Sequence, residues 1–408
     1  MKRNIALIGL FLIAAICLVT FGGKTNPISK VTCTNEKTLP VDTGENNTIQ
    51  ALLDKYNSLI NTKDVINRKI TSAKDFDFKE RFDQLNNEKE FYTKKIESIK
   101  RIDTLKSNID ASEYFEAKKG IYLNGLLELN EKVINQLYFK EKRNKIYIDS
   151  LEKEKANLTE PIENIKKNIR AESSKMINSY QLNFCGIKYN IFIADIDSNI
   201  IQMHLYNGEG RNLLNLGAVK KTIQGQKLKP LMITNAGMFT ERLEPEGLFI
   251  GGNQKKIFEL DTGKNNPELN FYMKPNGVFY IDSQNYANIC TTESFIDLMK
   301  KKKTKVKIAT QSGPMLLIDG DLHPKFKEGS KNYNIRSGVG IINEKKIVFA
   351  ISLGEVNFYD FAMFFKIIFN CKNALYLDGA ISKMYLYDIA PNTTDGRFGP
   401  MISVSRKN

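Results

Sequence analysis

The sequence predicts an α+β protein. A mixed-sheet C-terminal domain follows a long α-helical, coiled-coil-like hairpin and an N-terminal membrane segment. Three observations predict this. An uncharged apolar run, Ile5–Phe21, follows Lys2 and Arg3. From about Glu45 to Lys175, glycine and proline nearly vanish while Lys, Glu and Asp become dense. From Tyr180 onward Gly and Pro return, together with short apolar runs of strand length.

The first element is residues 1–23, read as a signal peptide or a membrane anchor. Basic residues ahead of an apolar stretch favour insertion with the following chain outside the cytoplasm. The run is long for a signal peptide and near the lower limit for a spanning helix. Thr20 and Gly22 suit cleavage after Gly22. Cys17 invites a lipoprotein reading, but Ile16 before it is larger than that processing site takes. Either way the body is expected to be extracytoplasmic, in the periplasm or cell envelope. Membrane contact follows if the segment is uncleaved.

Residues 24–44 are polar and punctuated by Pro27, Pro40 and Gly44, which reads as a linker. Residues 45–178 repeat apolar side chains at three- and four-residue steps. Examples are Ile49, Leu52, Tyr56 and Leu59, then Tyr122, Leu126, Leu129 and Val133, then Leu158, Ile162, Ile165 and Ile169. That spacing makes long amphipathic helices. Lys63, Lys89 and the stretch Ser72–Phe78 interrupt the seam. Asn108–Gly120 is the expected reversal point of an antiparallel hairpin with arms of roughly 90 Å. Such a region acts as a spacer or self-associates through its seam. It contains no catalytic constellation.

Residues 180–408 form the last domain. Ile187–Ala194, Leu231–Ile233, Val278–Ile281, Val306–Ala309, Met315–Ile318, Ile347–Ser352 and Leu375–Leu377 are the expected strands. Glu293–Lys303 and Asn357–Phe369 are the expected helices, the second with a phenylalanine-rich face.

Composition narrows the function. The chain has 408 residues and a net charge of +14. It has no zinc-finger spacing, aromatic-basic RNA motif or recognition helix, so no nucleic-acid partner is expected. The four cysteines outside the apolar run, Cys33, Cys185, Cys290 and Cys371, contain no CxxC pair, and the histidines are only His204 and His323. This argues against a Cys/His zinc site. Three pairings remain open if disulfides form; otherwise Cys185, Cys290 and Cys371 are small buried thiols. No cofactor is required by these residues. No metal ligands are identified; oxygen-rich turns leave a divalent cation open, although no EF-hand loop is present.

Four clusters set a polar side chain beside glycine near a strand end. They are Thr234–Phe239, Gln311–Met315, Arg336–Gly340 and Asp378–Ser382. Tight turns in a β-rich domain read the same way. With the neighbouring EGLFI and KPNGVF, these clusters give NAGMF, QSGPMLL, RSGVG and NALYLDGAIS. The set resembles the phosphodiester glycosidase (NAGPA-like) domain family over Leu182–Val404, closest to its bacterial branch. An animal member removes N-acetylglucosamine from a phosphodiester that masks mannose 6-phosphate. The resemblance implies a hydrolase cleaving a sugar-1-phosphate linkage. Animal-branch motifs run closer to NGGFF and DGGGS. Ala380 and Ile381 add side chains there, so an envelope or environmental glycan is the expected substrate.

The residues suit that chemistry. Phosphate is a good leaving group, so general-acid help matters less than charge stabilisation. Arg336 is expected to grip phosphate. Asp378 is expected to activate water or stabilise the sugar cation. Glu246 and Glu355 are alternatives for the second carboxylate, ahead of Asp360. Asn235, Gly237, Ser312, Gly313, Asn276 and Ser382 are expected to line the substrate. Ser382 is a local hydrogen-bonding residue more than a nucleophile, since no histidine stands near it in sequence. His323 sits in a polar turn beside Pro324. The rival reading from the same residues is a non-catalytic glycan-binding module on a helical stalk, or a scaffold built on the coiled coil.

Overall fold

The computed structural model describes residues 44–103, 111–251, 258–301, 304–379, 381–390 and 394–407. The expected membrane segment, the linker up to residue 43, Cys17, Cys33 and Ala380 lie outside the described residues. Among the described residues no helix is long and apolar enough to cross a membrane.

Four helices come first: α1 (Gly44–Lys74), α2 (Phe78–Asp103), α3 (Ala111–Asn157) and α4 (Thr159–Ser173). The interrupted seam at Ser72–Phe78 is a helix break. Asp77 caps the next helix, its Oδ1 accepting from the Glu80 amide at 2.9 Å. α1–α2 run against α3–α4 in antiparallel fashion. Lys74 meets Glu152, Lys89 meets Glu131, and Asn144 donates to the Ala73 carbonyl. The expected reversal at Asn108–Gly120 lies in part outside the described residues, and from Ala111 onward that stretch is helical. Gly125 lies on the open outer side of α3, where a helix tolerates glycine at modest cost.

Fifteen strands are found among the described residues. A seven-stranded sheet has the order β1 (Asn178–Phe184), β2 (Ile187–Asp195), β12 (Lys346–Ser352), β11 (Ser337–Asn343), β13 (Ala374–Asp378), β9 (Met315–Ile318) and β10 (Asp321–Leu322). A second sheet orders β14 (Met384–Leu386), β4 (Leu228–Asn235), β15 (Met401–Lys407) and β3 (Ile200–His204). A third orders β5 (Phe249–Ile250), β8 (Val306–Ser312), β6 (Gly277–Asp282) and β7 (Ala287–Thr291). Every ladder is antiparallel, which corrects the expected mixed sheet. The tight connections of β1–β2, β6–β7 and β11–β12 leave no room for the helical crossover that parallel pairing needs. Three further helices complete the chain: α5 (Leu216–Gly225), α6 (Thr292–Lys300) and α7 (Phe358–Phe369).

The middle strands of the seven-stranded sheet are buried on both faces. Tyr189, Ile191, Ile193, Val348 and Ala350 point into a core shared with α7 and the hairpin base. Their alternates Phe192, Ala194, Ile347, Phe349 and Ile351 point into a core shared with the other two sheets. Period-two alternation with both faces covered explains why these strands read as continuous apolar runs.

The hairpin base belongs to the first of these cores. Ile49, Leu53, Tyr56, Ile162, Ile165 and Ile169 pack with Phe184, Phe361, Phe364 and Phe365. Gln50 both accepts from the Asn183 amide and donates to its carbonyl, which closes the β1 edge. Residues Asp42–Asn408 thus form one compact unit.

Candidate active site

Three sheets deliver their strand ends to one place. Asn235 ends β4, Ser312 ends β8, Asp378 ends β13, and Ser337 begins β11 beside it. Asn235 Nδ2 lies 3.1 Å from Asp378 Oδ2 and 3.2 Å from Ser382 Oγ. Its Oδ1 accepts from the Lys383 amide at 3.2 Å, which fixes the amide's orientation. Ser382 Oγ meets Ser337 Oγ at 2.9 Å. Ser312 Oγ donates to the Leu377 carbonyl and accepts from the Met238 amide, tying β8 to β13 and to the loop after β4. The Gly237 amide donates to Thr310 Oγ1. A Cβ at Gly237 would stand 2.3 Å from the Gln311 carbonyl oxygen, so only glycine permits this approach.

Burial pushes the Asp378 carboxyl up to about 6, against the pull of its hydrogen bonds from the Gly379 amide and Asn235. The charge of Glu246 adds to the rise. Asp378 keeps some accessible surface, as a group that meets a substrate must. Glu246 lies on the return of a short hairpin, its amide donating to the Met238 carbonyl. Burial first and the charge of Asp261 second push its carboxyl upward. Asp378 thus feels the charge of Glu246, itself a carboxyl raised by burial.

A buried polar layer fixes the backbone two residues on from Glu246. Gln311 Oε1 accepts from the Leu248 and Asp261 amides, while its Nε2 donates to the Asp261 carbonyl and Thr292 Oγ1. Asp261 receives the Tyr272 hydroxyl at 2.9 Å. Burial, then that carboxylate, push Tyr272 up to about 12.

The other expected residues fall in different places. Arg336 is 1% exposed. Its Nε donates to the Val356 carbonyl at 2.8 Å and its Nη2 to the Asn332 carbonyl and side chain. The guanidinium stacks 3.5 Å over the Phe358 ring. It presents no open fork to a phosphate, contrary to its expected role. Among the described residues no carboxylate pairs with it, so it is an uncompensated buried cation. It reaches the site through the Tyr376 hydroxyl, which hydrogen-bonds to Arg336 and Asn270 and lies under Gly379.

Asn276 is buried and occupied by the Phe271 carbonyl and the Thr292 hydroxyl. Gly313 packs directly against Asn276. Both belong to the floor under the site and not to its lining. Glu355 is exposed on the loop between β12 and α7, at the same end of the sheet but outside the hydrogen-bonded cluster. Asp360 is held by Asn357 at the start of α7. His323 is buried against Phe326 and accepts from the Lys325 amide; burial lowers it to about 4. His204 pairs with Ser403 and is likewise lowered to about 4 by burial. Neither histidine stands beside Ser382.

Burial pushes the thiols of Cys290, up to about 12, and of Cys371 upward. Cys185 is instead exposed, its sulfur 3.5 Å from Asn57 Oδ1. Among the described residues no group of three His, Cys, Asp or Glu side chains is placed to hold a metal ion.

Ser337, Thr310, Gln311, Asp261 and Tyr376 were not singled out from the sequence. Four of them lie inside or next to the quoted motifs, where a strand's alternation could have flagged them. Asp261 lies outside every motif and carries no local signal.

Residues 229–404 match the family model described as phosphodiester glycosidase (NAGPA). The uncharacterized protein YigE of Escherichia coli K12 is 37% identical over 202 residues, which are 49% of this chain and 74% of the relative. Among solved structures, the chain is similar to the zebrafish N-acetylglucosamine-1-phosphodiester alpha-N-acetylglucosaminidase catalytic domain, auto-inhibited by its pro-peptide. That likeness has 16% identity and a TM-score of 0.39 over 56% of this chain and 82% of that chain. On its match to the family model and to YigE, this chain belongs to the phosphodiester glycosidase family.

Proposed function

We propose that the protein is an extracytoplasmic hydrolase that cleaves the bond between a sugar's anomeric carbon and a phosphodiester oxygen in an envelope or environmental glycan. One observation carries the reading: Asp378, oriented by Asn235 at the meeting of three sheets, is raised by burial and by the charge of Glu246, a second carboxyl itself raised by burial. Paired carboxyl groups with displaced pKa values are the arrangement that sugar-transfer chemistry uses. The family membership supplies the phosphodiester. Lys2 and Arg3 ahead of Ile5–Phe21 support the extracytoplasmic setting.

In this scheme ionised Asp378 stabilises positive charge on the departing sugar or takes a proton from the attacking water. Water oxygen bonds to the anomeric carbon as the carbon–oxygen bond to phosphate breaks. The phosphate monoester leaves with the bonding electrons, and the water proton passes through the carboxylate to solvent. Arg336 acts from beneath, holding Tyr376 under the Asp378–Gly379 turn and supplying positive potential where an anion departs.

The test is hydrolysis of N-acetylglucosamine 1-(methyl phosphate) by the full chain in ¹⁸O water. The label is expected in the sugar, with Asp378→Asn lowering kcat/KM by about 10²–10⁴-fold. Label in the phosphate would make the protein a phosphorus–oxygen esterase. Binding without turnover would make it a glycan-binding module.

A further inference from the structure

We infer that the face of the second sheet from the end of β14 across Lys229 of β4 to Arg406 of β15 is an extended subsite for a polymer, a glycan chain whose sugars are joined through phosphates. The inference rests on the phosphodiester glycosidase reading and extends it from the cleaved bond to the chain on either side. β14 is the edge of the second sheet and leaves the site directly, because the Lys383 amide at its start is bound to Asn235.

Along this stretch two tyrosines each carry a lysine: Tyr385, buried in the core beneath α5, and the exposed Tyr387 just past the strand. Lys220 Nζ from α5 sits 4.5 Å from the centre of the Tyr385 ring. Lys229 Nζ from β4 sits 3.6 Å from that of Tyr387. Tyr387 continues the ladder through its amide to Leu231 and is 49% exposed. Lys229 lies six residues back along β4 from Asn235, about 20 Å from it at strand spacing. The span is too long for a single sugar and suits neighbouring units of a chain.

Cations outnumber acids here, the nearby acids being Asp388 and Asp395, the second of which pairs with Lys383. Between Arg211 and Thr240 the chain has five cations and no Asp or Glu, and after Asp395 it has no acid at all. Arg406 faces Lys229 directly across the β15–β4 ladder. Like charges at such a position destabilise a sheet. Among the described residues neither is relieved by an ion pair, and the acid closest in sequence to Tyr387 is the exposed Asp388. A cross-strand conflict without internal compensation marks a surface shaped for an anionic partner. The one open ring among these cations, Tyr387, offers a sugar an apolar face as well as charge.

Binding is measured by calorimetry at low salt on full-length Asp378→Asn protein, which removes turnover from the readout. The probes are a synthetic oligomer of N-acetylglucosamine joined by phosphodiesters and the same oligosaccharide without phosphate. The phosphodiester oligomer is expected to bind. Affinity should weaken about tenfold when Lys229→Gln and Arg406→Gln are added together. Tyr387→Ala is expected to weaken it severalfold. The two Gln substitutions remove a repulsion, so their melting temperature should equal or exceed that of the parent, which separates lost binding from lost folding. Equal binding of the phosphate-free oligosaccharide, or affinity unchanged in the Gln variant, would overturn the inference. Tighter binding of a single-stranded oligonucleotide or of phosphatidylglycerol vesicles would do the same. A failed hydrolysis assay counts against the catalytic reading and leaves this measurement intact.

Discussion

Asp378→Asn separates a carboxylate held under electrostatic tension from one that merely ties a turn, because the two respond oppositely to pH. Burial raises Asp378 from its ordinary 3.8 to about 6, so the folded protein holds that proton more tightly than the unfolded chain does. The stability gained from the proton is fully present below about pH 3.8 and is lost as pH rises through about 6. At 1.36 kcal/mol per pH decade, the displacement amounts to about 3 kcal/mol above pH 6. Asp378 retains accessible surface, so solvent screening reduces this to about 1–3 kcal/mol. Asparagine has no charge to desolvate. Its oxygen still accepts from the Gly379 amide, but its own amide meets the Asn235 amide, donor against donor. That conflict costs about 1 kcal/mol at every pH. The variant should therefore be less stable than wild type by about 1 kcal/mol at pH 4. At pH 8 it should be equal to wild type or more stable by up to about 2 kcal/mol. Urea unfolding at the two pH values measures this, provided the slopes with denaturant agree. A stability difference that stays constant with pH, or favours aspartate more at pH 8 than at pH 4, would refute the buried-charge account.

Glu246→Gln removes a negative charge that helps hold the proton on Asp378. The acid limb of the pH–rate profile should move to lower pH, whereas an unmoved limb would place Glu246 outside the site's electrostatics. Gln311→Ala leaves the Leu248 and Asp261 amides without their acceptor; the expected loss is about 2–4 kcal/mol in urea melts. Arg336→Lys keeps the charge but forfeits the stack on Phe358 and the fork to Asn332 and Val356. Stability should fall by about 2 kcal/mol or more, with kcat falling more than KM rises. A change confined to KM would restore Arg336 as a direct phosphate grip.

Seven of the fifteen strands found among the described residues were legible, the longest of them because both faces of the central sheet's middle strands are covered. Ile187–Ala194 and Ile347–Ser352 appear as unbroken apolar runs for that reason. β1, β3 and β15 escaped notice for the complementary reason. Each mixes polar side chains such as Gln181, Gln202 and Ser403 into its ladder, and only pairing across the chain shows them to be strands. The cluster around Arg336 reads locally as a glycine turn. It is the start of β11, where Gly338 and Gly340 make room for Phe361 and Phe365 of α7. Asp378, Asn235 and Ser382 were recognisable as polar residues ending apolar runs. Their convergence was not, since it depends on three sheets meeting. Arg336 shows the limit of reading chemistry from residue type. A guanidinium near a strand end suggests an open anion site, yet here its donors are taken up by carbonyls that no local pattern reveals.

The helical hairpin and the C-terminal domain look separable in composition, one charged and glycine-poor, the other glycine-rich. Packing joins them. Ile169 is wholly buried in the core that also holds Tyr189 and Phe364, and those rings stack at 4.0 Å. Ser173 Oγ donates to the Ile368 carbonyl at the end of α7. Helix α7 in turn covers β11 and supplies Phe358, on which Arg336 stacks. A physical chain of contacts thus runs from the hairpin base to the residue that seats Tyr376 under the Asp378 turn. Ile169→Ala should cost about 2–5 kcal/mol. Because the core is shared, hairpin and domain should unfold together, seen as coincident transitions by far-ultraviolet circular dichroism and tyrosine fluorescence. A domain still folded after the hairpin has melted would show that the hairpin is only a spacer, and that the base of the site stands without it.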